Sequence, residues 1–149
     1  MTSKRPSWDE YFLDMARTAS TRSEDLFVQH GAILVNEHNH IMGTGYNAFT
    51  PNFDKALVDP SDRNARRPYM VHAEQNAILN STMRSNCSTM YVTGEPCINC
   101  MLSMINFGVK RFCYVDSVGT ITDNDETRLI KKNLIDSSGV EVCSLKDIG

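Results

Sequence analysis

The sequence predicts an α/β fold of three layers, with a mixed central sheet of about five strands and helices on both faces. Two observations support this prediction. Strand-length apolar runs first form a hairpin pattern, and further strands then alternate with amphipathic helices. The alternation predicts right-handed crossovers and a largely parallel half of the sheet. A chain of 149 residues suits one sizeable core, so a single domain over 1–149 is expected.

The first predicted helix begins near Ser7, because Ser7 and Glu10 have the spacing of a capping box. Apolar residues then recur with helical period, and we expect them to bury one face. They are Trp8, Tyr11, Phe12, Met15, Ala16 and Ala19. Two strands follow at 32–35 and 41–46, and the short polar segment between them is typical of a hairpin turn.

The segment 47–68 contains three prolines and shows no regular period. A loop of this length inside a compact domain is uncommon, so we expect it to be functional. Regular periodicity returns after it. Helices are expected at 73–84, 97–107 and 125–135, and strands at 89–93, 111–115 and 140–143.

Composition excludes several function classes. Lys plus Arg is 15 and Asp plus Glu is 18, so the net charge of −3 argues against a strongly basic nucleic-acid-binding protein. No apolar run approaches the roughly 18 residues of a membrane helix, and the start does not have the pattern of a secretory signal. Five cysteines are an odd number and too sparse for a disulfide scaffold, which predicts a cytoplasmic, reducing location.

Two short motifs carry metal chemistry. Cys97 and Cys100 are three residues apart at a predicted helix start, where Pro96 suits the first helical position. With His72 they make three ligands and leave a fourth tetrahedral position open, which is typical of a catalytic zinc. Glu74 is close enough to His72 to carry the proton of an activated water. Because residues i and i+2 of a helix face apart, His72 is predicted to be the helix cap.

Each motif also has a simpler interpretation. His-x-Glu arises often by chance, and Cys-x-x-Cys occurs in redox motifs and in structural zinc sites. A structural site needs a second pair of ligands, but Cys87, Cys113 and Cys143 are scattered singly. A redox site leaves His72 and Glu74 unexplained. Together the two motifs match the H-x-E and P-C-x-x-C signature of zinc nucleobase deaminases.

The chain resembles the deoxycytidylate deaminase family of the cytidine deaminase superfamily over nearly its whole length. The resemblance rests on Trp8 to Phe12, Arg22-Ser23, Gly31 to Val35, Gly43 to Asn47, Pro68 to Ile78 and Met90 to Cys100. It implies a cytidine deaminase-like α/β/α fold and the hydrolysis of dCMP to dUMP and ammonia, which supplies dUMP for dTTP synthesis. Water attacks C4 of cytosine, and Glu74 moves protons to N3 and to the departing amine.

The resemblance implies further site residues and partners. Asn47, Ala73 and Arg22 are expected to bind the substrate. From the residues themselves, Tyr46, Arg63, Arg66 and Arg67 are expected to bind an effector triphosphate, because arginine forks suit phosphate. Arg22 and the long loop are also candidates for the substrate phosphate, and a merely exposed basic loop is the alternative for the three arginines. The implied assembly is a homo-oligomer, a hexamer, activated by dCTP and inhibited by dTTP. Mg²⁺ would accompany the triphosphate.

Three positions depart from the family pattern. His30 stands where valine is usual, and either a pocket residue or a packed histidine fits this position. Ala48 replaces a usual glycine in the loop associated with regulation. Glu95 precedes Pro96, as it does in base and tRNA deaminases.

Two alternative functions are open. One is a different nucleoside or base deaminase or a tRNA adenosine deaminase on the same fold. The negative net charge disfavours tRNA, because binding RNA requires a clustered basic surface. The other is a non-catalytic zinc-binding regulatory module. The presence of Glu74 disfavours this alternative.

Overall fold

The computed structural model describes residues 4–82, 87–116 and 123–146 and confirms the three-layer α/β fold. Its helices are α1 (Trp8–Ser20), α2 (Arg63–Arg66), α3 (Ala73–Leu79), α4 (Ile98–Phe107) and α5 (Asp125–Ser138). Its strands are β1 (Gly31–Asn36), β2 (Ile41–Tyr46), β3 (Ala48–Phe49), β4 (Met70–Val71), β5 (Cys87–Val92), β6 (Arg111–Asp116) and β7 (Glu141–Lys146). Within these residues, we find no helix with the length and apolar character needed to cross a bilayer.

The main sheet has five strands in the order β2-β1-β5-β6-β7. β1 is antiparallel to both β2 and β5, whereas β5, β6 and β7 run parallel, as the predicted hairpin and crossovers require. Alternate residues of β1 face opposite layers. Ile33 and Val35 pack in the layer of α1, while Ala32 and Leu34 pack in the layer of α3, α4 and α5. Helices therefore cover both faces.

The start of α1 has the predicted capping box. The Ser7 hydroxyl accepts the Glu10 N–H at 3.1 Å, and the Glu10 carboxylate accepts the Ser7 N–H at 3.0 Å. The predicted apolar face is wrong at its N-terminal end, where Trp8 is 57% exposed. Phe12 is buried as expected, and Leu13 is buried beside it. The helix is thus rotated so that only its central turns face the sheet, and Trp8 stacks on Phe12 at its edge.

A charged network attaches α1 to the sheet. Both carboxylate oxygens of Asp9 accept hydrogen bonds from Arg111 at 2.9 Å, and one also accepts the Tyr91 hydroxyl at 2.7 Å. The hydrogen bond from Arg111 lowers the pKa of the Asp9 carboxyl group below its usual value. Asp9 therefore remains ionised and connects the first turn of α1 to β5 and β6.

Several element ends differ from the prediction. α3 ends at Leu79 instead of 84, because Asn80 caps the helix and its side-chain amide donates to the Thr44 carbonyl at 3.0 Å. Residues 83–84 of the predicted helix lie outside the described residues. α5 continues to Ser138 and stops at Gly139, whose φ of 75° permits the left-handed turn. β7 accordingly occupies 141–146 rather than 140–143.

The segment 47–68 is not an irregular loop. β3 pairs with β4, and two aspartates begin short helical turns: Asp54 accepts the Ala56 N–H, and Asp62 accepts the Ala65 N–H. A helix of one turn or a strand of two residues is too short to show a repeat of apolar residues, so a search for hydrophobic periodicity misses it. The result is an ordered wall beside the C-terminal end of β2.

Candidate active site

Two helix N-termini meet at the site. His72 caps α3 with an extended backbone (φ −73°, ψ 155°), as predicted, and Cys97 caps α4 with φ −76° and ψ 170°. Cys100 follows in the first turn of α4. The predicted place of Pro96 at the first helical position is wrong. Cys97 is the non-helical cap, so Pro96 lies outside the helix.

Close packing between α3 and β2 holds the first turn of α3 in position. A side chain on Gly45 would collide with the Ala73 carbonyl oxygen, and one on Gly43 would collide with the Ala77 carbonyl oxygen. Only glycine allows the helix backbone to approach the strand this closely. The two glycines of β2 therefore determine how near α3 lies to the sheet.

The three predicted ligands come together. His72 Nδ1 lies 3.3 Å from Cys100 Sγ and 3.5 Å from Cys97 Sγ, and the three atoms lie within 4.8 Å of one another. Zn–N and Zn–S bonds of about 2.0 and 2.3 Å in a tetrahedron separate nitrogen from sulfur by about 3.5 Å. One imidazole and two thiols are a typical donor set for zinc. The three side chains therefore fit a zinc ion.

Electrostatics at the site favour a metal-binding thiolate. Hydrogen bonds from Cys100 and from His72 lower the pKa of the Cys97 thiol to about 4. The hydrogen bond with Cys97 in turn raises the pKa of His72. Cys97 is thus a thiolate at neutral pH, and the thiolate is the form that binds metals.

Glu74 lies beside this triad in the first turn of α3. Its side chain lines the same pocket as His72 and Cys97, and the residue is only 5% exposed. Burial raises the pKa of its carboxyl group above the usual value. A buried carboxyl group next to a metal site is suited to holding and passing a proton.

The pocket around Glu74 has a volume of about 600 Å³. Two of the predicted substrate-binding residues, Asn47 and Ala73, line it. Asn47 also organises the pocket wall, because its amide oxygen accepts the His30 N–H at 2.9 Å and its amide nitrogen donates to the Val28 carbonyl at 2.8 Å. One amide N–H of Asn47 remains for another partner.

The three arginines of the predicted effector site have separate positions. Arg63 and Arg67 line the same pocket as His72 and Cys97. Arg66 is 2% exposed; its guanidinium donates to Asp25 at 3.0 Å and lies 4.9 Å from the ring centre of Phe27. The prediction took the three as one cluster in the long loop, a candidate for substrate or effector phosphates. α2 instead turns residues 63 and 67 toward the pocket and residue 66 toward the protein interior.

Arg22 and Tyr46 lie together but outside this pocket. The Arg22 guanidinium is 5.8 Å from the centre of the Tyr46 ring, and neither residue is among the residues that line the pocket. The predicted contact between Arg22 and the substrate therefore has no counterpart in the pocket. Residues near each other in sequence, such as Arg22 and Asp25, point to different places after the helix ends.

Sequence reasoning missed several residues of the pocket wall. Asp25 lies in the polar stretch that follows α1, yet it is a buried ion-pair partner that lines the pocket. Glu95 and Asp123 also line the pocket, and buried Lys131 lies 2.7 Å from Asp123 and 3.5 Å from Glu95. No period or motif marks these residues, because their partners are distant in sequence.

Comparison with known proteins agrees with this site. Residues 6–116 match the family described as the cytidine and deoxycytidylate deaminase zinc-binding region. Deoxycytidylate deaminase of Homo sapiens is 39% identical over 80% of this chain and 69% of that protein. A probable deoxycytidylate deaminase of Drosophila melanogaster is 33% identical over 90% of this chain and 70% of that protein.

A solved structure shares the fold. The dCMP deaminase of cyanophage S-TIM5, in complex with dCMP and dUMP, has a TM-score of 0.71 and 24% identity over 96% of this chain and 100% of that chain. The family match spans most of the chain and includes Glu74 and the three ligand residues. This chain therefore belongs to the cytidine and deoxycytidylate deaminase family of zinc-binding hydrolytic deaminases.

Proposed function

We propose that this chain is a cytoplasmic enzyme that converts dCMP and water into dUMP and ammonia and so supplies dUMP for dTTP synthesis. The observation that carries the proposal is one pocket lined by two of the three proposed zinc ligands, His72 and Cys97, by a buried carboxyl group and by two arginines. Relatives named deoxycytidylate deaminase support the same substrate. In this proposal, cytosine binds near Glu74 and the 5′-phosphate near the arginines.

The residues of the pocket have separate roles in the reaction. His72, Cys97 and Cys100 would hold a zinc ion, which when bound would supply Lewis-acid activation of water at neutral pH. Glu74 takes a proton from the attacking water and delivers it to N3 of cytosine. It then passes the second water proton to the 4-amino nitrogen, which leaves as ammonia. The products are dUMP and one ammonia for each dCMP and water consumed.

Recognition of the phosphate belongs to Arg63 and Arg67. Guanidinium groups bind phosphate oxygens through paired, charge-assisted hydrogen bonds. The buried ion pair between Arg66 and Asp25 holds α2 against the pocket wall. Arg63 in α2 and Arg67 in the following turn can then reach the substrate. Arg66 is thus a positioning residue in this proposal.

Substrate preference tests the proposal. Ammonia release should be most efficient from dCMP and weaker from deoxycytidine, cytidine, adenosine and cytosine. Replacing Arg63 or Arg67 with glutamine should raise the KM for dCMP about 10- to 100-fold, since a hydrogen bond to a charged group contributes about 1.5–3 kcal/mol. The KM for deoxycytidine, which has no phosphate, should not change.

Arg128→Gln is the matched control, because Arg128 is an exposed arginine of α5 and is not among the residues that line the pocket. It should leave the KM for dCMP unchanged. Equal kcat/KM values for dCMP and deoxycytidine in the wild-type protein would contradict a nucleotide substrate. Absence of ammonia from every compound would favour a non-catalytic module.

We also propose that the chain forms a homo-oligomer, a hexamer, activated by dCTP and inhibited by dTTP. Arg22 and exposed surface near Tyr46 offer a place for a triphosphate outside the pocket. Ala48 in place of the usual glycine does not oppose this proposal. Among the described non-glycine residues, only Asn39 and Asn52 have a positive φ, so the backbone at Ala48 does not require glycine. An effector acts by binding one of two conformations more tightly.

The regulation has a direct test. The rate of dCMP turnover should depend sigmoidally on dCMP concentration, and dCTP and dTTP should shift the curve in opposite directions. Light scattering should show an oligomer in the same samples. Hyperbolic curves from a monomer, unchanged by either triphosphate, would contradict both parts.

Magnesium has no support among the described residues. Apart from His72, Cys97 and Cys100, one other group of potential metal ligands lies close together among the described residues: Asp9, Cys113 and Cys143. Both oxygens of Asp9 already accept hydrogen bonds from Arg111. Magnesium prefers oxygen ligands and binds thiols poorly. The proposal therefore includes zinc alone.

A further inference from the structure

His30 has a fixed ring at the pocket wall. Its Nδ1 lies 3.0 Å from Thr93 Oγ1, and the ring lies so close to Gly94 that a Cβ there would be 2.6 Å from His30 Cε1. Asn47 holds the His30 backbone on both sides, through the amide oxygen at 2.9 Å and the backbone N–H at 3.3 Å. The imidazole therefore has one position and one orientation.

The hydrogen bonds around Thr93 favour one tautomer of this ring, the one in which the Thr93 hydroxyl hydrogen also has an acceptor. Thr93 Oγ1 accepts the Gly31 N–H at 3.1 Å, and its hydroxyl hydrogen can be donated to Nδ1 of His30. This arrangement uses the hydroxyl group both as acceptor and as donor. Nδ1 is then an acceptor, and Nε2 carries the hydrogen of the neutral ring.

Nε2 is an accessible atom of a residue that lines the pocket. Within the described residues it has no hydrogen-bond partner, and it is not one of the buried side-chain atoms that lack a partner. Burial lowers the pKa of His30, which keeps the imidazole neutral near pH 7. The pocket wall thus presents one oriented N–H group that the protein itself does not use.

The charged neighbours of His30 indicate which part of the substrate this N–H meets. The charged groups that act on His30 are His72, Asp25 and Arg63, and all three line the same pocket as His30. In the proposed binding mode, cytosine is near the zinc ligands and the phosphate is near the arginines. The deoxyribose connects the two, and its oxygens are acceptors.

We propose that His30 is a substrate-specificity residue whose Nε2–H donates a hydrogen bond to a deoxyribose oxygen of the bound nucleotide. This inference rests on the proposed function. It assigns a role to the position at which the chain has histidine in place of the usual valine. The contact adds affinity for the sugar and is independent of the phosphate contacts.

Two substitutions separate the two ring nitrogens. The amide of His30→Asn reaches the position of Nδ1 and keeps the bond to Thr93, but it places no group at Nε2. The longer His30→Gln places an amide group near Nε2. We expect His30→Asn to lower kcat/KM about 5- to 10-fold, mainly through KM, as the loss of one neutral hydrogen bond predicts. His30→Gln should stay within about 3-fold of wild type.

The substrate pair dCMP and deoxycytidine gives the decisive comparison. Both contain the sugar, so His30→Asn should lower kcat/KM by the same factor for each, whereas Arg67→Gln should affect dCMP alone. A loss confined to dCMP would overturn the assignment to the sugar. An unchanged kcat/KM in His30→Asn would show that the histidine has only a structural role. Equal losses of kcat/KM in His30→Asn and His30→Gln, together with a lower Tm, would show the same. Failure of wild-type protein to deaminate dCMP would instead contradict the proposed function.

Discussion

Replacing Glu74 with glutamine should lower the kcat for dCMP by about 100- to 10,000-fold, the range typical for loss of a general acid–base group. Glutamine has nearly the shape of glutamate, but its amide cannot take a proton from water and deliver it to N3. Because Glu74 is buried and is not one of the three metal ligands, the fold and the zinc content should be retained. Steady-state ammonia release and metal analysis on the same preparation measure both effects.

Glu126→Gln is the matched control for this variant. Glu126 occupies the second position of α5, as Glu74 does in α3, but its side chain is exposed and does not line the pocket. Its substitution should leave kcat unchanged. A Glu74→Gln enzyme with zinc bound and activity within a few-fold of wild type would remove Glu74 from the proton transfers.

Replacing Cys97 with serine should abolish stoichiometric zinc binding and activity together. A serine hydroxyl stays protonated at neutral pH, whereas Cys97 is held as a thiolate that suits zinc. A ligand present at about 1,000 times its Kd adds about 4 kcal/mol to the free energy of unfolding. Loss of zinc should therefore lower the Tm as well as the kcat for dCMP.

Metal analysis and thermal denaturation, each with and without a chelator, test this prediction. The chelator should lower the Tm of wild-type protein to that of Cys97→Ser and should have little further effect on the variant. Cys143→Ser is the control, because Cys143 is also half-buried but belongs to β7, outside the zinc triad. Full zinc occupancy in Cys97→Ser would reject the predicted ligand set.

The fold class and the zinc ligands could be predicted from local patterns. A strand or a long helix repeats its period over several residues, and the ligands His72, Cys97 and Cys100 lie at two helix starts with short, fixed spacing. Capping requirements also act locally, so the sequence correctly placed His72 outside the helix. The prediction was weaker where a single residue decides where a helix begins, as at Pro96. The cap position and the first helical turn have similar residue preferences, so the sequence does not separate them.

Tertiary structure alone divided the roles of the arginines. In the sequence, Arg63, Arg66 and Arg67 form one basic cluster with no visible difference among them. In the fold, Asp25 provides a buried partner for Arg66, while the other two remain at the pocket. Asp25 is about forty positions away in sequence, so no local pattern contains this information.

The sequence by itself therefore predicted the α/β class, the helix caps Ser7 and His72, and a candidate set of ligands beside Glu74, because helix caps and the spacing within each short motif depend on residues close in sequence. Only the folded chain decided which polar groups surround the substrate pocket. His30, Thr93 and Asn47 come from the ends of three different segments, and the hydrogen bonds among them exist only when β1, β2 and β5 pair. Pairing between strands distant in sequence carries that information, and local propensity does not.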